Sequence, residues 1–316
     1  MRTIFMGSPE FAVASLDLVH QSTELLAVYT QPDKPRGRRG KDLEPTAVKK
    51  RALELGLPVH EPKRIRDEDV IAQLREYRPD VILVVAYAKL IPPEILELPK
   101  HGCINVHPSL LPRYRGAIPL QASIFAGDRE TGVCTFFMDE GYDTGDIIVM
   151  RRTELGAEET FSQLSARLAA VGAEVLGETI DLLRTDSAPR VKQPKEAVGG
   201  YTKPMSKAEL AVDWTQSAEA VRNRIRGLAD EPGAATTLAN GEALKVGKAS
   251  HAEGRGKPGE VLGLLKGKGP IVACGEGALV LEKVKPAGKG WMDGASLWNG
   301  GKVAAGQTLG GEVVTA

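Results

Sequence analysis

The stretch Val81-Ile82-Leu83-Val84-Val85 is apolar at every position, and it decides the fold. A strand with one solvent-facing side alternates apolar and polar residues, whereas a strand covered on both sides is apolar throughout. The stretch therefore predicts a strand over Asp80–Ala86 that is buried inside a parallel sheet.

Strand and helix patterns alternate on both sides of this strand. Apolar runs predict further strands over Thr3–Met6, Leu25–Thr30, Gly102–Val106 and Val133–Met138. Helical spacing predicts helices over Phe11–Val19, Thr46–Leu55, Asp67–Tyr77 and Glu158–Leu183. Thr46 lies near the start of the second helix, Asp67 is a candidate cap of the third, and Gly172 is a candidate break in the last. This alternation predicts a doubly wound, mostly parallel α/β sheet whose ligand binds at the carboxyl ends of the strands.

The pattern changes after the Pro-containing segment 185–204, which favours an inter-domain linker. Beyond it, Val221–Leu228 predicts a helix. Short apolar runs then alternate with Gly-rich turns and predict an all-β domain, most simply a small barrel, with strands over Ala243–Val246, Gly259–Leu265, Pro270–Ala273 and Ala278–Val284. The predicted domains are therefore residues 1–184 and 205–316, joined by the linker.

Composition excludes several classes of protein. Charged residues make up 26% of the 316 residues and the formal net charge is zero, so any nucleic-acid contact must come from a local patch. No apolar stretch approaches the roughly 20 residues that span a bilayer, and no secretory signal is evident. Cys103, Cys134 and Cys274 form neither a metal-ligand spacing nor a disulfide framework. We expect a cytoplasmic protein with no metal, no membrane contact and no obligate protein partner.

A nucleotide cofactor is not predicted. Gly7-Ser8-Pro9 follows the first strand but lacks the second and third glycines of a dinucleotide fingerprint, and Pro9 has no N–H to donate. The segment favours a tight strand-to-helix turn with proline at the helix start. We therefore expect neither NAD nor ATP to bind.

Candidate catalytic residues follow two of the predicted strands. Asn105 and His107 are two residues apart, so an extended strand directs both side chains to one face. Asn105 offers a neutral donor to a developing oxyanion, and His107 can move a proton near neutral pH. The acidic turn that follows Met138 could bring Asp143 to His107. The three residues suit attack on a carbonyl-like carbon, although each alone is also typical of an ordinary turn or a packed strand end.

Three segments carry a resemblance to a known family. Cys103–His107, Ser109–Gly116 and Asp143–Asp146 resemble the formyltetrahydrofolate-dependent formyltransferases, and within that group the methionyl-tRNA formyltransferases. The resemblance extends from Ile4 to Lys289. The chain departs from the methionyl-tRNA formyltransferase pattern at Pro108, Lys89 and Ala229–Gly233, and none of these departures touches the three catalytic candidates.

The resemblance implies a fold, a reaction and a site. It implies a Rossmann-like formyltransferase domain followed by an OB-like β-barrel. It also implies formyl transfer from 10-formyltetrahydrofolate to the amino group of initiator methionyl-tRNA, without a metal. Asn105, His107 and Asp143 are then catalytic. The predicted folate-binding residues are Val85, Ala86, Tyr87, Ser109, Leu110, Leu111, Pro112 and Asp139. A formyl-folate hydrolase, a transformylase acting on a small amine and a non-enzymatic RNA-binding protein remain the alternatives.

Basic residues give the candidate RNA contacts. Lys34–Lys41 contains five Lys or Arg in eight residues, which suits either RNA phosphates or a solvated loop. The resemblance favours RNA binding, and the predicted RNA-binding residues are Arg36, Arg38, Arg39 and Lys41. Arg113–Gly116 is an RNA or substrate contact or else a packing loop. Arg222 and Arg226 share one helix face, which suits either RNA or solvent.

Overall fold

The computed structural model describes residues 1–36 and 42–310. The strands are β1 Arg2–Gly7, β2 Glu24–Tyr29, β3 Lys34–Arg36, β4 Asp42–Glu44, β5 Val59–His60, β6 Val81–Val85, β7 Cys103–His107, β8 Arg113–Gly116, β9 Glu130–Phe137, β10 Ile147–Glu154, β11 Val198–Thr202, β12 Ala234–Thr237, β13 Ala243–Ala252, β14 Val261–Leu265, β15 Gly269–Ala273, β16 Ala278–Pro286 and β17 Met292–Asp293. The helices are α1 Val13–Ser22, α2 Ala47–Glu54, α3 Glu68–Tyr77, α4 Pro93–Leu96, α5 Pro119–Phe125, α6 Phe161–Arg184, α7 Ala218–Gly227 and α8 Gly294–Asn299, with 3₁₀ turns at Glu10–Ala12 and Ala208–Leu210.

The described residues divide into two compact units. The first contains Met1–Pro119, Glu130–Glu154 and Ser165–Thr202. The second contains Leu120–Arg129, Leu155–Leu164 and the described residues from Lys203 onward. The domain limits expected from the sequence stay a prediction.

The first unit is built on a seven-stranded sheet in the order β10-β9-β7-β6-β1-β2-β5. Strands β1, β2, β5, β6 and β7 are parallel. β9 pairs antiparallel with both β7 and β10, so the edge strand β10 runs in the same direction as the parallel strands. The chain reverses its direction of winding between β6 and β1, which creates a topological switch point at their carboxyl ends. The predicted doubly wound, mostly parallel sheet is confirmed, and its ligand crevice is expected at this edge.

Helices α3 and α6 differ in how closely the sequence predicted them. Helix α3 begins one residue after Asp67, which occupies the N-cap without a capping hydrogen bond from its side chain. Helix α6 is continuous through Gly172, so the candidate break there is wrong. A Cβ at this glycine would lie 3.2 Å from Val106 Cγ1, which shows that the glycine allows the helix to pack closely on the sheet.

The second unit is an antiparallel sheet in the order β12-β13-β16-β15-β14, with β17 paired to β16. Three of the four predicted strands fall within β13, β15 and β16, whereas the run Gly259–Leu265 begins two residues before β14. Val246, Val272 and Leu281 are among the fully buried residues of this sheet. The expectation of a C-terminal domain of antiparallel strands is confirmed. Helix α7 packs on this sheet, and Ser217 caps it by accepting a hydrogen bond from the Ala220 amide.

The segment expected to be a linker contains a strand of the first unit. β11 pairs in parallel with β8, and the Thr202 carbonyl accepts a hydrogen bond from the Ala117 amide. Gly116 permits this pairing, because it has a φ of +107° and a Cβ there would lie 2.2 Å from the Thr202 carbonyl oxygen. Part of segment 185–204 therefore lies beside the strand that follows the predicted Ser109–Pro112 pocket.

Candidate active site

Asn105 and His107 lie at the carboxyl end of β7, as the strand pattern predicts. Asn105 pairs in register with Val84 of β6, so Asn105 and His107 lie beside the carboxyl end of this central buried strand. Asn105 is half-buried, whereas His107 is only 3% exposed. The ring of Phe136 meets the His107 imidazole edge to face at 6.4 Å between centroids. This edge of the sheet therefore brings an accessible amide close to a nearly enclosed imidazole.

Asp143 reaches the same place from the acidic turn after β9. Its Oδ2 lies 3.7 Å from His107 Nδ1, and it accepts a 2.7 Å hydrogen bond from the Gly116 amide. The backbone of Asp143 has a φ of +56°, a left-handed conformation that is uncommon for a residue other than glycine. The structure thus brings together all three predicted catalytic candidates. Gly116 was not among the predicted site residues, because an Arg-Tyr-Arg-Gly run does not indicate that the glycine amide binds a carboxylate.

The hydrogen bonds of His107 determine where its proton lies. Nε2 is 3.2 Å from the Tyr114 carbonyl oxygen, which can only accept, so the ring N–H is assigned to Nε2. Nδ1 then carries the lone pair and faces Asp143. Burial lowers the pKa of His107, while the Asp143 carboxylate and the Tyr114 carbonyl act in the opposite direction. The free protein therefore holds a neutral imidazole with a basic nitrogen directed towards a carboxylate.

The predicted folate-binding segments lie next to this group but expose little side chain. Val85, Tyr87, Leu110 and Leu111 are buried in the protein, and Ser109 Oγ donates a 2.6 Å hydrogen bond to the Arg113 carbonyl. The first two exposed positions after β6 are Ala86 and Ala88, whose φ angles are +49° and +61°. Their small side chains leave the backbone accessible. A ligand at this edge would accordingly meet main-chain N–H and C=O groups.

A cavity of about 430 Å³ adjoins the segment that follows β6. Its lining includes Lys63, Arg64, Arg66, Lys89 and Glu140. Lys89 Nζ donates to the carbonyls of Pro62 and Lys63, which holds it at the cavity wall. The excess of cations makes this cavity suited to a ligand that carries carboxylates.

The predicted RNA contacts have different outcomes. Arg38, Arg39 and Lys41 lie outside the described residues, and Arg36 ends β3. Arg115 is only 1% exposed and bonds within the chain, so the packing alternative holds for it.

Arg222 and Arg226 are each 7% exposed, so neither the RNA-facing nor the solvated interpretation of this helix face is correct. Arg222 pairs with Glu158 and Glu219, while Arg226 donates to the carbonyls of Gly156, Glu159 and Ile124. Apart from Glu219, which is one turn away on α7, these partners lie 64 or more positions away in the sequence, so helical spacing alone could not reveal the burial.

Two properties of the described residues bear on the predicted class of protein. In the part of the chain that the structure describes, no helix is both long and apolar enough to cross a membrane. Among those same residues, no group of three His, Cys, Asp or Glu side chains is placed to hold a metal ion.

Comparison with known proteins identifies the class. Residues 1–180 match the family described as formyl transferase, and residues 204–302 match the formyl transferase C-terminal domain. The chain therefore belongs to the formyl transferase family, and the resemblance noted in the sequence is confirmed.

Particular relatives extend over nearly the whole chain. The methionyl-tRNA formyltransferase of Symbiobacterium thermophilum is 46% identical and covers 97% of this chain and 94% of its own length. That of Trichlorobacter lovleyi is 43% identical and covers 100% of this chain and 99% of its own. Among solved structures, the sugar 3N-formyl transferase WlaRD, crystallised in the presence of dTDP and 5-N-formyl-THF, is similar with a TM-score of 0.65 at 18% identity, covering 92% of this chain and 98% of its own. This last likeness concerns the fold alone.

Proposed function

We propose that the protein transfers the formyl group of 10-formyltetrahydrofolate to the amino group of initiator methionyl-tRNA. One observation carries the proposal: a buried His107 faces the Asp143 carboxylate beside the accessible Asn105 amide, in a chain of the formyl transferase family. The acceptor is proposed from the relatives, which are named methionyl-tRNA formyltransferases and align over nearly the full length.

In the proposed reaction the methionyl amine attacks the formyl carbon. Asn105 donates a hydrogen bond to the oxygen that becomes negative. The amine proton passes to Nδ1 of His107, directly or through a water. The imidazolium so formed lies between the Asp143 carboxylate and the Tyr114 carbonyl, both of which favour the cation. His107 then returns the proton to N10 of the folate as the C–N bond breaks, so the step balances without a metal.

The proposed folate site comprises the ends of β6 and β7. The exposed backbone of Ala86, which precedes the buried Tyr87, would contact the pterin, because a flat heterocycle with several donors and acceptors suits exposed main-chain groups. Ser109–Pro112 and Asp139 would complete the wall. The neighbouring cationic cavity fits the carboxylates of the glutamate tail. On this account Val85, Leu110 and Leu111 act by shaping the backbone and not through their side chains.

Methionyl-tRNA is the second proposed ligand. Arg36, Arg38, Arg39 and Lys41 are proposed to contact its phosphates, because Lys and Arg supply most of the affinity for nucleic acids. A protein that acts on initiator tRNA works where translation occurs, and we propose a cytoplasmic location on that ground.

The deciding experiment follows a labelled formyl group. Formyl-labelled folate is incubated with the protein in the presence of charged initiator tRNA, uncharged tRNA or no tRNA. Label on methionyl-tRNA supports the proposal, whereas release of formate at the same rate without tRNA favours the hydrolase alternative. The His107→Ala variant should lower turnover by about 10²–10⁴-fold, the range for a positioned acid–base group. Wild-type turnover in that variant would remove His107 from the mechanism.

A further inference from the structure

Arg115 is a buried cation bonded to neutral oxygens. It is 1% exposed, and its guanidinium donates to Gln193 Oε1 at 2.9 Å and 3.2 Å. It also donates to the Pro194 carbonyl at 2.8 Å and the Lys195 carbonyl at 3.2 Å. A charge taken out of water must be hydrogen-bonded to be tolerated. These bonds therefore fasten residues 193–195 to β8.

The same bonds set the orientation of the Gln193 side chain. A guanidinium has donors and no acceptor, so Gln193 must turn its oxygen towards Arg115. Its amide nitrogen then faces the acidic turn, where it donates to the Asp143 carbonyl at 3.0 Å and the Gly145 carbonyl at 2.7 Å. One side chain thus links the buried cation to the backbone of the turn.

We propose that Gln193, oriented by Arg115, is a positioning residue that holds the Asp143 carboxylate against His107. Asp143 has a left-handed φ of +56°, and such conformations persist only where the surroundings hold them. Gly116 binds the carboxylate and Gln193 binds the carbonyls, so the residue is held from two directions. The kinetic consequence of this inference rests on the proposed formyl transfer, whereas the structural consequence does not.

Two substitutions distinguish the positioning of Asp143 by Gln193 from the mere anchoring of residues 193–195 to β8. Gln193→Met has a similar length but removes the bonds to both Arg115 and the turn. Gln193→Glu keeps an acceptor for Arg115, and as a charged partner it preserves the anchoring of residues 193–195. Its second oxygen, however, faces two carbonyls without a proton to donate. Gln163→Met is the matched control, because Gln163 is exposed and, among the described residues, its side chain accepts hydrogen bonds from Thr160 at the start of α6.

The kinetic measurement compares these variants in formyl transfer. Both Gln193 variants should lower kcat by about tenfold to hundredfold, the effect of misplacing a catalytic group by about an ångström. KM for either substrate should change by less than about threefold, because the lost interaction serves the reaction and not binding. The Gln163→Met control should keep wild-type kcat. Wild-type kcat in Gln193→Glu would overturn the inference, since only the anchoring would then matter.

A second measurement does not depend on the reaction. The Gly116 amide proton reports directly on the Asp143 carboxylate that it binds, and NMR gives its chemical shift and exchange rate. In both Gln193 variants this proton should move upfield and exchange faster, towards the values in Asp143→Ala, while remaining unchanged in Gln163→Met. An unchanged Gly116 signal in both Gln193 variants would overturn the inference. If the signal changes in the variants while the wild-type protein itself fails to formylate methionyl-tRNA, the positioning role is supported and the proposed function is overturned.

Discussion

Replacing Asp143 with asparagine tests whether the charge next to His107 serves the reaction. The substitution keeps the shape of the side chain, and the Asn oxygen can still accept the 2.7 Å hydrogen bond from the Gly116 amide. The turn and the fold should therefore be retained. What the variant loses is the negative charge 3.7 Å from His107 Nδ1.

The expected loss of rate follows from that distance. Two unit charges about 4 Å apart attract by about 4 kcal/mol at an effective dielectric constant of about 20. Water screens part of this attraction, since the Asp143 side chain is 17% exposed. The amide dipole of asparagine would retain another part of it. A net cost of about 2–4 kcal/mol in the transition state corresponds to a kcat roughly thirtyfold to thousandfold lower.

The assay is single-turnover formyl transfer to methionyl-tRNA, with circular dichroism to verify the fold. Asp146→Asn is the matched control on the same turn, because Asp146 only approaches Arg190 at 3.9 Å near the surface and such pairs contribute little. A folded Asp143→Asn variant with wild-type kcat would refute the electrostatic role. A variant that is unfolded by circular dichroism would show that Asp143 is structural.

Three further predictions concern stability and RNA. Burial lowers the pKa of His107, so the unfolded chain takes up a proton near about pH 6.5 that the folded chain resists. Urea unfolding should therefore show stability declining below that pH by at most about 1.4 kcal/mol per pH unit, and His107→Gln should flatten the curve. Arg226→Ala should lower unfolding free energy by about 3–5 kcal/mol in denaturant titrations, because three carbonyls lose their donor and a buried network is broken. Arg38→Ala should reduce the salt slope of methionyl-tRNA binding by about one unit per lost phosphate contact, and parallel titrations of equal affinity would contradict an RNA role.

Local patterns predicted the elements that depend on local chemistry. The fully apolar Val81–Val85 became the buried β6, and Thr46 caps α2 by accepting a 3.0 Å hydrogen bond from the Lys49 amide. The spacing of Asn105 and His107 placed both at the end of β7. In each case the signal lies within a few residues of the feature that it predicts.

Features that depend on distant partners could not be predicted in this way. β11 consists largely of exposed residues and exists because β8 pairs with it, so its composition favoured a linker. The antiparallel direction of β9 is set by its neighbour β7, and an apolar run carries no information on direction. Arg226 and Gln193 resemble ordinary surface residues until the chain brings carbonyls from 48 or more positions away to meet them.

The geometry of His107 and Asp143 suits a catalyst more than a structural ion pair. A distance of 3.7 Å is too long for a good hydrogen bond, and burial keeps the imidazole neutral, so the pair contributes little attraction before reaction. Once a proton arrives at Nδ1, the same carboxylate faces a cation in a site with little water. Only interactions that strengthen in the transition state raise kcat, and in the proposed proton transfer this pair would supply one of them. A pair already charged and bonded in the resting protein would stabilise the fold instead, which is why the neutral, enclosed imidazole favours the proton-transfer role.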